Sequence, residues 1–163
     1  MPQNPDQAAE QDAENTLVLE TSKGPVTIAM RPDLAPRHVA RVKELVRGGF
    51  YDGLVFHRVI DGFMAQTGCP YGSGTGGSGQ KLNAEFSKEK HVRGTVSMAR
   101  SQSPDSGDSQ FFICFEDSKW LDGQYTVWGK VSAGMENVDK IKRGEPVRDP
   151  DSIITAQMAA DAK

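Results

Sequence analysis

Apolar residues recur along much of the chain in short runs with a period of two, which is typical of β-strands that cover one face of a sheet. The first two runs, residues 16–21 and 25–30, predict a β-hairpin with a glycine-containing turn. Residues 33–47 follow a different rule, because their valines are spaced as on one face of a helix. We therefore expect a hairpin followed by an amphipathic helix that ends at Gly48-Gly49.

The second half of the chain predicts further strands and one more helix. Strands are expected over residues 91–98, 110–115, 125–131 and 152–158. Residues 134–143 carry apolar side chains three residues apart and predict the second helix. Residues 68–83 contain six glycines but lack the phosphate-loop pattern, so we expect a surface loop that is ordered only in part.

One stretch, residues 54–68, differs from the others because an arginine lies among its apolar residues. The stretch predicts two short strands joined by a tight turn at Asp61-Gly62. Alternation places Arg58 on the same face as Phe56 and Ile60. An unpaired buried charge is costly, so Arg58 either forms a structural ion pair, extends to water, or serves as a donor beside an apolar pocket. Taken alone, Arg58 favours a structural explanation.

The length and charge of the chain restrict its class. The 163 residues suit one domain: residues 1–15 are polar and acidic and predict a disordered tail, and residues 16–163 form the predicted folded domain. The 19 Lys and Arg against 22 Asp and Glu argue against nucleic acid as the main partner. The sequence shows neither a membrane-spanning apolar run nor a secretory signal, so we expect a cytoplasmic protein without membrane contact.

The chain offers little for metal or covalent chemistry. Its histidines, His38, His57 and His91, are scattered, and its two cysteines lack zinc-ligand spacing, so we expect neither a metal nor a cofactor. His57 is expected to be a hydrogen-bonded structural histidine. Both cysteines are expected to be free thiols, Cys69 exposed in the glycine-rich loop and Cys114 buried in a strand. What remains is an apolar, aromatic surface with a few donors, which suits binding or a reaction that needs neither a nucleophile nor proton transfer.

Five blocks of sequence, taken in order, resemble the cyclophilin-type peptidyl-prolyl isomerases. They are residues 56–68 (FHRVIDGFMAQTG), 94–99 (GTVSMA), 109–114 (SQFFIC), 120–123 (WLDG) and 127–131 (VWGKV). An ordered set is far more specific than one short motif. The resemblance implies an all-β fold, a closed eight-stranded antiparallel β-barrel capped by two α-helices, with a packed interior and an external ligand site. It also implies an enzyme that accelerates rotation about X-Pro bonds and so assists protein folding.

The resemblance assigns roles to individual residues. Arg58 matches the family's donor to the prolyl amide, Gln66 matches the side chain that steadies it, and Phe112 matches a residue of the proline pocket; these three form the predicted catalytic set. The other matches form the rest of the substrate groove: Phe63, Met64, Ala99, Arg100, Ser101, Gln110, Trp120, Leu121 and Tyr125. The implied partners are proline-containing peptides and unfolded protein chains, bound by a monomer.

Two residues depart from the commonest family pattern. Tyr125 stands where many members have histidine, and it can keep an aromatic wall with a polar tip, so activity is expected to survive. Arg100 stands where many have asparagine, and its charge is expected to favour acidic residues near the substrate proline. Trp120 implies cyclosporin binding. A binding module with incidental turnover stays open as an alternative, whereas a hollow small-molecule barrel is disfavoured by the many large aromatic residues.

Overall fold

Eight strands form one antiparallel sheet in the computed structural model, which describes residues 13–162. The strands are β1 (Thr16–Thr21), β2 (Gly24–Met30), β3 (Arg58–Ile60), β4 (Met64–Thr67), β5 (Thr95–Met98), β6 (Phe111–Cys114), β7 (Val127–Ala133) and β8 (Ile153–Met158). The helices are α1 (Pro36–Arg47) and α2 (Met135–Val138), with 3₁₀ turns at Lys119–Leu121 and Ala159–Asp161. The order across the sheet is β3-β4-β6-β5-β7-β2-β1-β8. The predicted fold of eight antiparallel strands with two helices is confirmed.

The sheet curls, and its seam is joined by a short bridge rather than by a continuous ladder. Val55, just before β3, pairs with Ser152, just before β8. Gly53 N donates to Ile153 O at 2.7 Å, and Ile153 N donates to Leu54 O at 2.8 Å. The strand predicted to start at Leu54 therefore begins only at Arg58, because the preceding residues pair across the seam instead of with β4.

The second predicted helix, residues 134–143, is reduced to the single turn α2. Gly134 precedes it in the left-handed region, at φ 86°. After Asp139 the backbone bonds span three residues rather than four, as in Ile141 N to Val138 O at 3.1 Å. Arg143 then donates from Nη1 to the carbonyls of Asp139 and Ile141, at 2.7 and 2.6 Å. These carbonyls are thereby satisfied without a continued helix.

Helix α1 covers one part of the curled sheet. Its apolar stripe, which includes Val39 and Val42, is buried, and the helix contacts β8. Pro36 stands at its first position, where a missing N–H costs nothing. The carboxylate of Glu85 accepts the backbone N–H groups of Arg37 and His38, at 3.2 and 2.8 Å, and so satisfies donors that the first turn leaves free.

The space between the sheet and α1 is filled by large side chains. Tyr51, Phe56, Phe111 and Trp128 are almost fully buried there. Phe111 packs edge-on against Tyr51 and Trp128, with ring centroids 5.5 and 5.2 Å away. This packing agrees with the expectation of a solid interior and places any ligand site on the outside of the sheet.

The N-terminal part of the described chain tests the predicted tail, residues 1–15. Residues 1–12 of the predicted tail lie outside the described residues. Glu14 and Asn15 were also assigned to the tail, yet they contact α1: Arg47 Nη2 donates to Glu14 Oε1 and Lys43 Nζ donates to Asn15 Oδ1, each at 2.9 Å.

Within residues 13–162, neither helix has the length and apolar character that crossing a lipid bilayer requires.

The expectation that Cys69 is exposed is wrong. The glycine-rich loop folds back over its side chain, and the backbone N–H groups of Gly74 and Gly76 donate to its Sγ, each at 3.3 Å. Burial by itself would raise the pKa of the Cys69 thiol, but these and neighbouring N–H groups outweigh it and lower the pKa to about 7. Cys114 is buried as predicted, and burial raises its pKa to about 12. Both are free thiols.

Candidate active site on the outer face of the sheet

One row of side chains crosses the outer face of the sheet over β3, β4 and β6. In the antiparallel register, Arg58 lies opposite Gln66, and Gln66 lies opposite Phe112. Side chains in directly opposed positions on one face are neighbours. The pairing of the strands therefore brings together the three residues predicted as catalytic.

A small apolar pocket adjoins this row. Met64, Phe112, Cys114 and Leu121 are buried together in a cluster separate from the interior core. The pocket has a volume of about 90 Å³ and is lined by Arg58, Phe63, Met64, Gln66, Ala99, Arg100, Phe112, Leu121 and Tyr125. All nine lining residues belong to the predicted site.

A larger cleft, here called the polar cleft, lies beside the apolar pocket and is lined almost entirely by polar residues and glycines. Its volume is about 340 Å³, and it shares Gln66, Ala99 and Arg100 with the pocket. The predicted residues Ser101 and Gln110 line this cleft and not the pocket. The other lining residues were not predicted: Gly74, Thr75, Gly76, Gly77, Lys81, Ser106 and Asp108. They lie in two loops without apolar periodicity, so no pattern in the sequence marked them.

Trp120 lies outside both cavities, at the rim. The 3₁₀ turn Lys119–Leu121 buries Leu121 against the pocket and leaves Trp120 66% exposed. Its ring lies 5.5 Å from the ring of Phe63, measured between centroids. Trp120 can therefore contact a ligand that extends beyond the pocket.

A relay of hydrogen bonds fixes the orientation of Gln66. Gln110 Nε2 donates to the carbonyl oxygens of Gly74 and Gly76, at 3.0 and 2.8 Å, which leaves its Oε1 free to accept. Gln66 Nε2 donates to that Oε1 at 3.0 Å. Gln66 Oε1 then accepts from Arg58 Nη1 at 3.4 Å. Because an amide has one accepting and one donating end, the two loop carbonyls decide which end of Gln66 faces Arg58.

Aromatic rings form the wall behind the pocket. The ring of Phe112 stacks on His91 at a centroid distance of 6.2 Å and meets Tyr125 edge-on at 5.7 Å. His91 Nε2 lies 2.9 Å from Ser97 Oγ, and its Nδ1 lies 3.1 Å from Asp122 Oδ1. Burial lowers the pKa of His91 against the opposing effect of Asp122, so His91 is neutral near pH 7.

The side chain of Arg100 is held beside this wall by a cation–π contact and by hydrogen bonds to three backbone carbonyls. Its guanidinium carbon lies 4.6 Å from the centroid of the Tyr125 ring. Its Nε donates to Gln124 O at 2.9 Å, and its Nη1 donates to Ser101 O at 3.0 Å and to Gln102 O at 3.1 Å. These contacts join the loop after β5 to the loop before β7, at the ridge between the apolar pocket and the polar cleft.

His57, expected to be a hydrogen-bonded structural histidine, is buried. Neither ring nitrogen forms a hydrogen bond of good geometry within the described part of the chain, although Gln110 and the backbone of Val55 lie close enough to oppose the effect of burial on its pKa. The position of a Cβ added to Gly74 would lie 3.5 Å from His57 Nε2, so the glycine-rich loop packs closely over the imidazole. Burial lowers the pKa of His57, which keeps the ring neutral near pH 7. Residues 13–162 also contain no cluster of three or more His, Cys, Asp or Glu side chains that could hold a metal ion.

Comparison with known proteins places this site in a family. The family model described as cyclophilin type peptidyl-prolyl cis-trans isomerase/CLD matches residues 16–158. A protein of Brucella suis biovar 1 named probable peptidyl-prolyl cis-trans isomerase is 54% identical over 96% of this chain and 88% of its own length. A peptidyl-prolyl cis-trans isomerase of Helicobacter pylori is 47% identical over 78% of this chain and 80% of its own.

Solved structures agree. Cyclophilin AquaCyp293 from Hirschia baltica has a TM-score of 0.86 and 28% identity, over 100% of this chain and 83% of that one. A Cryptosporidium parvum cyclophilin type peptidyl-prolyl cis-trans isomerase, crystallised in the presence of the dipeptide Ala-Pro, has a TM-score of 0.82 and 27% identity, over 88% of this chain and 98% of that one. The chain therefore belongs to the cyclophilin-type peptidyl-prolyl cis-trans isomerases and has the isomerase activity of that family.

Proposed function

We propose that this isomerase accelerates rotation about X-Pro bonds through Arg58, whose guanidinium donates a hydrogen bond to the prolyl nitrogen as the amide twists. The apolar pocket holds the pyrrolidine ring while the acyl side of the bond turns. The residues before the proline bind along the polar cleft, which Ser101 and Gln110 line. No nucleophile and no proton transfer are required.

The chemistry of the amide explains why one donor is enough. The barrier to rotation is about 18–20 kcal/mol because resonance gives the C–N bond partial double-bond character. Twisting the bond breaks that resonance and returns a lone pair to the nitrogen, which then accepts a hydrogen bond that the planar amide cannot. A hydrogen bond made only in the twisted state lowers the barrier from both ground states. Each ~1.4 kcal/mol of such preference accelerates the reaction about tenfold.

The observation that carries the proposal is the position of Arg58 beside the pocket. Arg58 and Phe112 flank Gln66 in one cross-strand row, and both line the apolar pocket. The side chain of Arg58 is 42% exposed, so its free N–H groups are accessible to a ligand. The relay through Gln66 and Gln110 supports the proposal because it restrains the guanidinium at one edge.

Replacement of the donor tests this role. Arg58→Ala should lower kcat/KM for a short X-Pro peptide about 100-fold or more, the usual cost of losing a donor to the transition state. Exchange of the proline signals in NMR spectra measures the rate directly, and a peptide titration measures affinity, which should fall less than about tenfold. Arg37→Ala, an exposed arginine at the start of α1, is the matched control. Equal rates for Arg58→Ala and the parent protein would remove Arg58 from the mechanism.

A second candidate function is the binding of proline-containing segments, with turnover incidental. The exposed Trp120 and the polar cleft favour it, since they extend the binding surface beyond one proline ring. Arg58→Ala separates the two functions: if a strain that depends on the protein is restored by this variant, binding is the function that the cell needs. Adding cyclosporin to the exchange assay tests the predicted drug binding. A monomeric state and a cytoplasmic location stay predictions.

A further inference from the structure

Strand β3 has a neighbour on the side away from β4. Val59 and Gly144 exchange two backbone hydrogen bonds of 2.8 Å each. In the antiparallel register that these bonds define, Glu145 stands opposite Arg58, at a non-hydrogen-bonded position, where opposed side chains approach most closely. The cross-strand row on the outer face therefore has a further member, on the far side of Arg58 from Gln66.

The guanidinium of Arg58 is consequently contacted from two sides. Glu145 Oε1 lies 3.7 Å from Arg58 Nε, and Gln66 Oε1 lies 3.4 Å from Arg58 Nη1. Among residues 13–162, the carboxylate of Glu145 has no other hydrogen bond or ion pair. Its side chain is 57% exposed, so the pair adds little to the stability of the fold.

The backbone fixes where Glu145 stands. A Cβ on Gly144 would lie 2.8 Å from both Pro146 O and Val147 Cα, so this residue must be glycine for the segment to fold back on itself. Val147 N then donates to His57 O at 3.2 Å. The segment is thus tied to the strand on both sides of Glu145, and the carboxylate is held beside Arg58 rather than on a free loop.

We propose that Glu145 is a positioning residue for the isomerisation: it restrains Arg58 from the side opposite Gln66, so that the remaining N–H groups stay directed at the prolyl nitrogen. The inference rests on the proposed role of Arg58. Both contacts of the guanidinium are long, and either one alone leaves a half-exposed arginine free to turn toward water. Two opposed contacts restrict that turn, which is the kind of orientation that raises kcat without changing substrate affinity.

The test replaces the charge and keeps the shape. Glu145→Gln should lower kcat for a short X-Pro peptide by about two- to fivefold, the effect of losing one half-exposed ion pair. KM and the melting temperature should stay unchanged, and Glu145→Asp, which keeps the charge with a shorter reach, should give an intermediate kcat. Glu136→Gln makes the same change in net charge on α2 and should have no effect. Raising salt from about 0.02 M to about 0.5 M should reduce the difference between the parent protein and Glu145→Gln.

A double-mutant cycle separates the failure of this inference from the failure of the proposed function. Glu145→Gln should have no further effect on the residual rate of Arg58→Ala. If Arg58→Ala keeps the parent rate, the role of Arg58 falls and that of Glu145 falls with it. If Arg58→Ala is slow while Glu145→Gln leaves kcat unchanged, or lowers it equally in both backgrounds, the inference about Glu145 alone is overturned. A rise in kcat would also overturn it, because the carboxylate would then compete with the substrate for the guanidinium.

Discussion

The interior core and the outer cluster are built from opposite faces of the same strands. In β6, Phe111 and Ile113 belong to the interior core, whereas Phe112 and Cys114 belong to the outer cluster. The interior is enclosed by the curled sheet, α1, α2 and adjoining loop residues such as Ile141 and Val147. The outer cluster is small and only partly covered, by Leu121 and its neighbours, and the uncovered part is the apolar pocket.

The difference shows how a strand can serve folding and function at once. Successive side chains of a strand point to opposite faces of the sheet, so the adjacent residues Phe111 and Phe112 lie in different environments. Phe111 is held by Tyr51 and Trp128 and has no access to solvent. Phe112 lies between His91 and Tyr125 and lines an opening of about 90 Å³. Under the proposed function, the pyrrolidine ring of the substrate would cover this open side of Phe112 when it binds.

The largest expected effect comes from comparing Phe111→Ala with Phe112→Ala. Phe111→Ala should lower the free energy of unfolding by about 3–5 kcal/mol, because it empties a closed core. Phe112→Ala opens a site that water already reaches, so its stability loss should be less than half as large. It should instead lower kcat/KM about 10- to 100-fold, the value of one lost apolar wall. Urea unfolding and NMR exchange measure the two quantities.

Each variant is the control for the other, since they remove the same side chain from adjacent positions. Equal losses of stability, with the isomerase rate of Phe112→Ala unchanged, would show that the outer cluster is simply a second core. A Phe111→Ala variant that still folds at low temperature should keep the parent rate within about threefold, because core and pocket share no side chain at this position.

The next prediction tests the direction of the hydrogen bonds in the glutamine relay on the outer face, from Gln110 through Gln66 to Arg58. Gln110→Glu keeps the shape and can still accept from Gln66, but it cannot donate to the carbonyls of Gly74 and Gly76. A carboxylate facing two carbonyl oxygens is repelled, so the relay should break and Arg58 should lose its fixed acceptor. We expect kcat to fall about tenfold, the value of one partly buried hydrogen bond left unsatisfied.

The control for the relay is Gln102→Glu, which makes the same change of charge on an exposed loop. Its kcat should match that of the parent protein, and the melting temperature of both variants should change by no more than a few degrees. If Gln110→Glu keeps the parent kcat, the loop carbonyls do not set the orientation of Gln66. Catalysis would then not depend on a fixed arrangement of side chains at the outer site.

The sequence predicted the parts of this molecule that follow a side-chain period. Both faces of residues 110–115 are apolar, which predicts a strand covered on one face by the barrel interior and on the other by a helix or a ligand. The fold and the residues of the apolar pocket followed from that pattern together with the family resemblance. All nine residues that line the pocket were among those predicted.

What could not be predicted depends on backbone atoms and loops. The carbonyls of Gly74 and Gly76 orient the relay, and a carbonyl leaves no mark on residue type. Small glycines also allow the loop to fold back over Cys69, so a stretch that looks exposed in sequence buries a thiol. Glu145 is placed by a short pairing beside β3 that shows no strand pattern of its own.

The smallest expected effect concerns Arg100, which joins two loops over the outer cluster through backbone carbonyls and the Tyr125 ring. Arg100→Lys keeps the charge but cannot reproduce the planar contacts with three carbonyls and the Tyr125 ring. The two loops should loosen, and KM should rise about two- to fivefold while kcat stays the same, as expected for an exposed cation–π contact. Hydrogen exchange should become faster for residues 101–106 and stay unchanged at Trp128.

The salt dependence of peptide affinity in the parent protein decides what the charge of Arg100 does. If peptides with an acidic residue before the proline lose no more affinity than neutral ones when salt is raised, the guanidinium acts on the protein's own loops and not on the substrate. Arg37→Lys, at an exposed position on α1, is the matched control and should change neither KM nor exchange. If KM and hydrogen exchange in the loop both stay unchanged, the aromatic wall of the pocket keeps its structure without the contacts of Arg100. Packing of the pocket residues alone would then keep the pocket in shape, as packing does in the interior core. The two regions would differ only in their exposure to solvent.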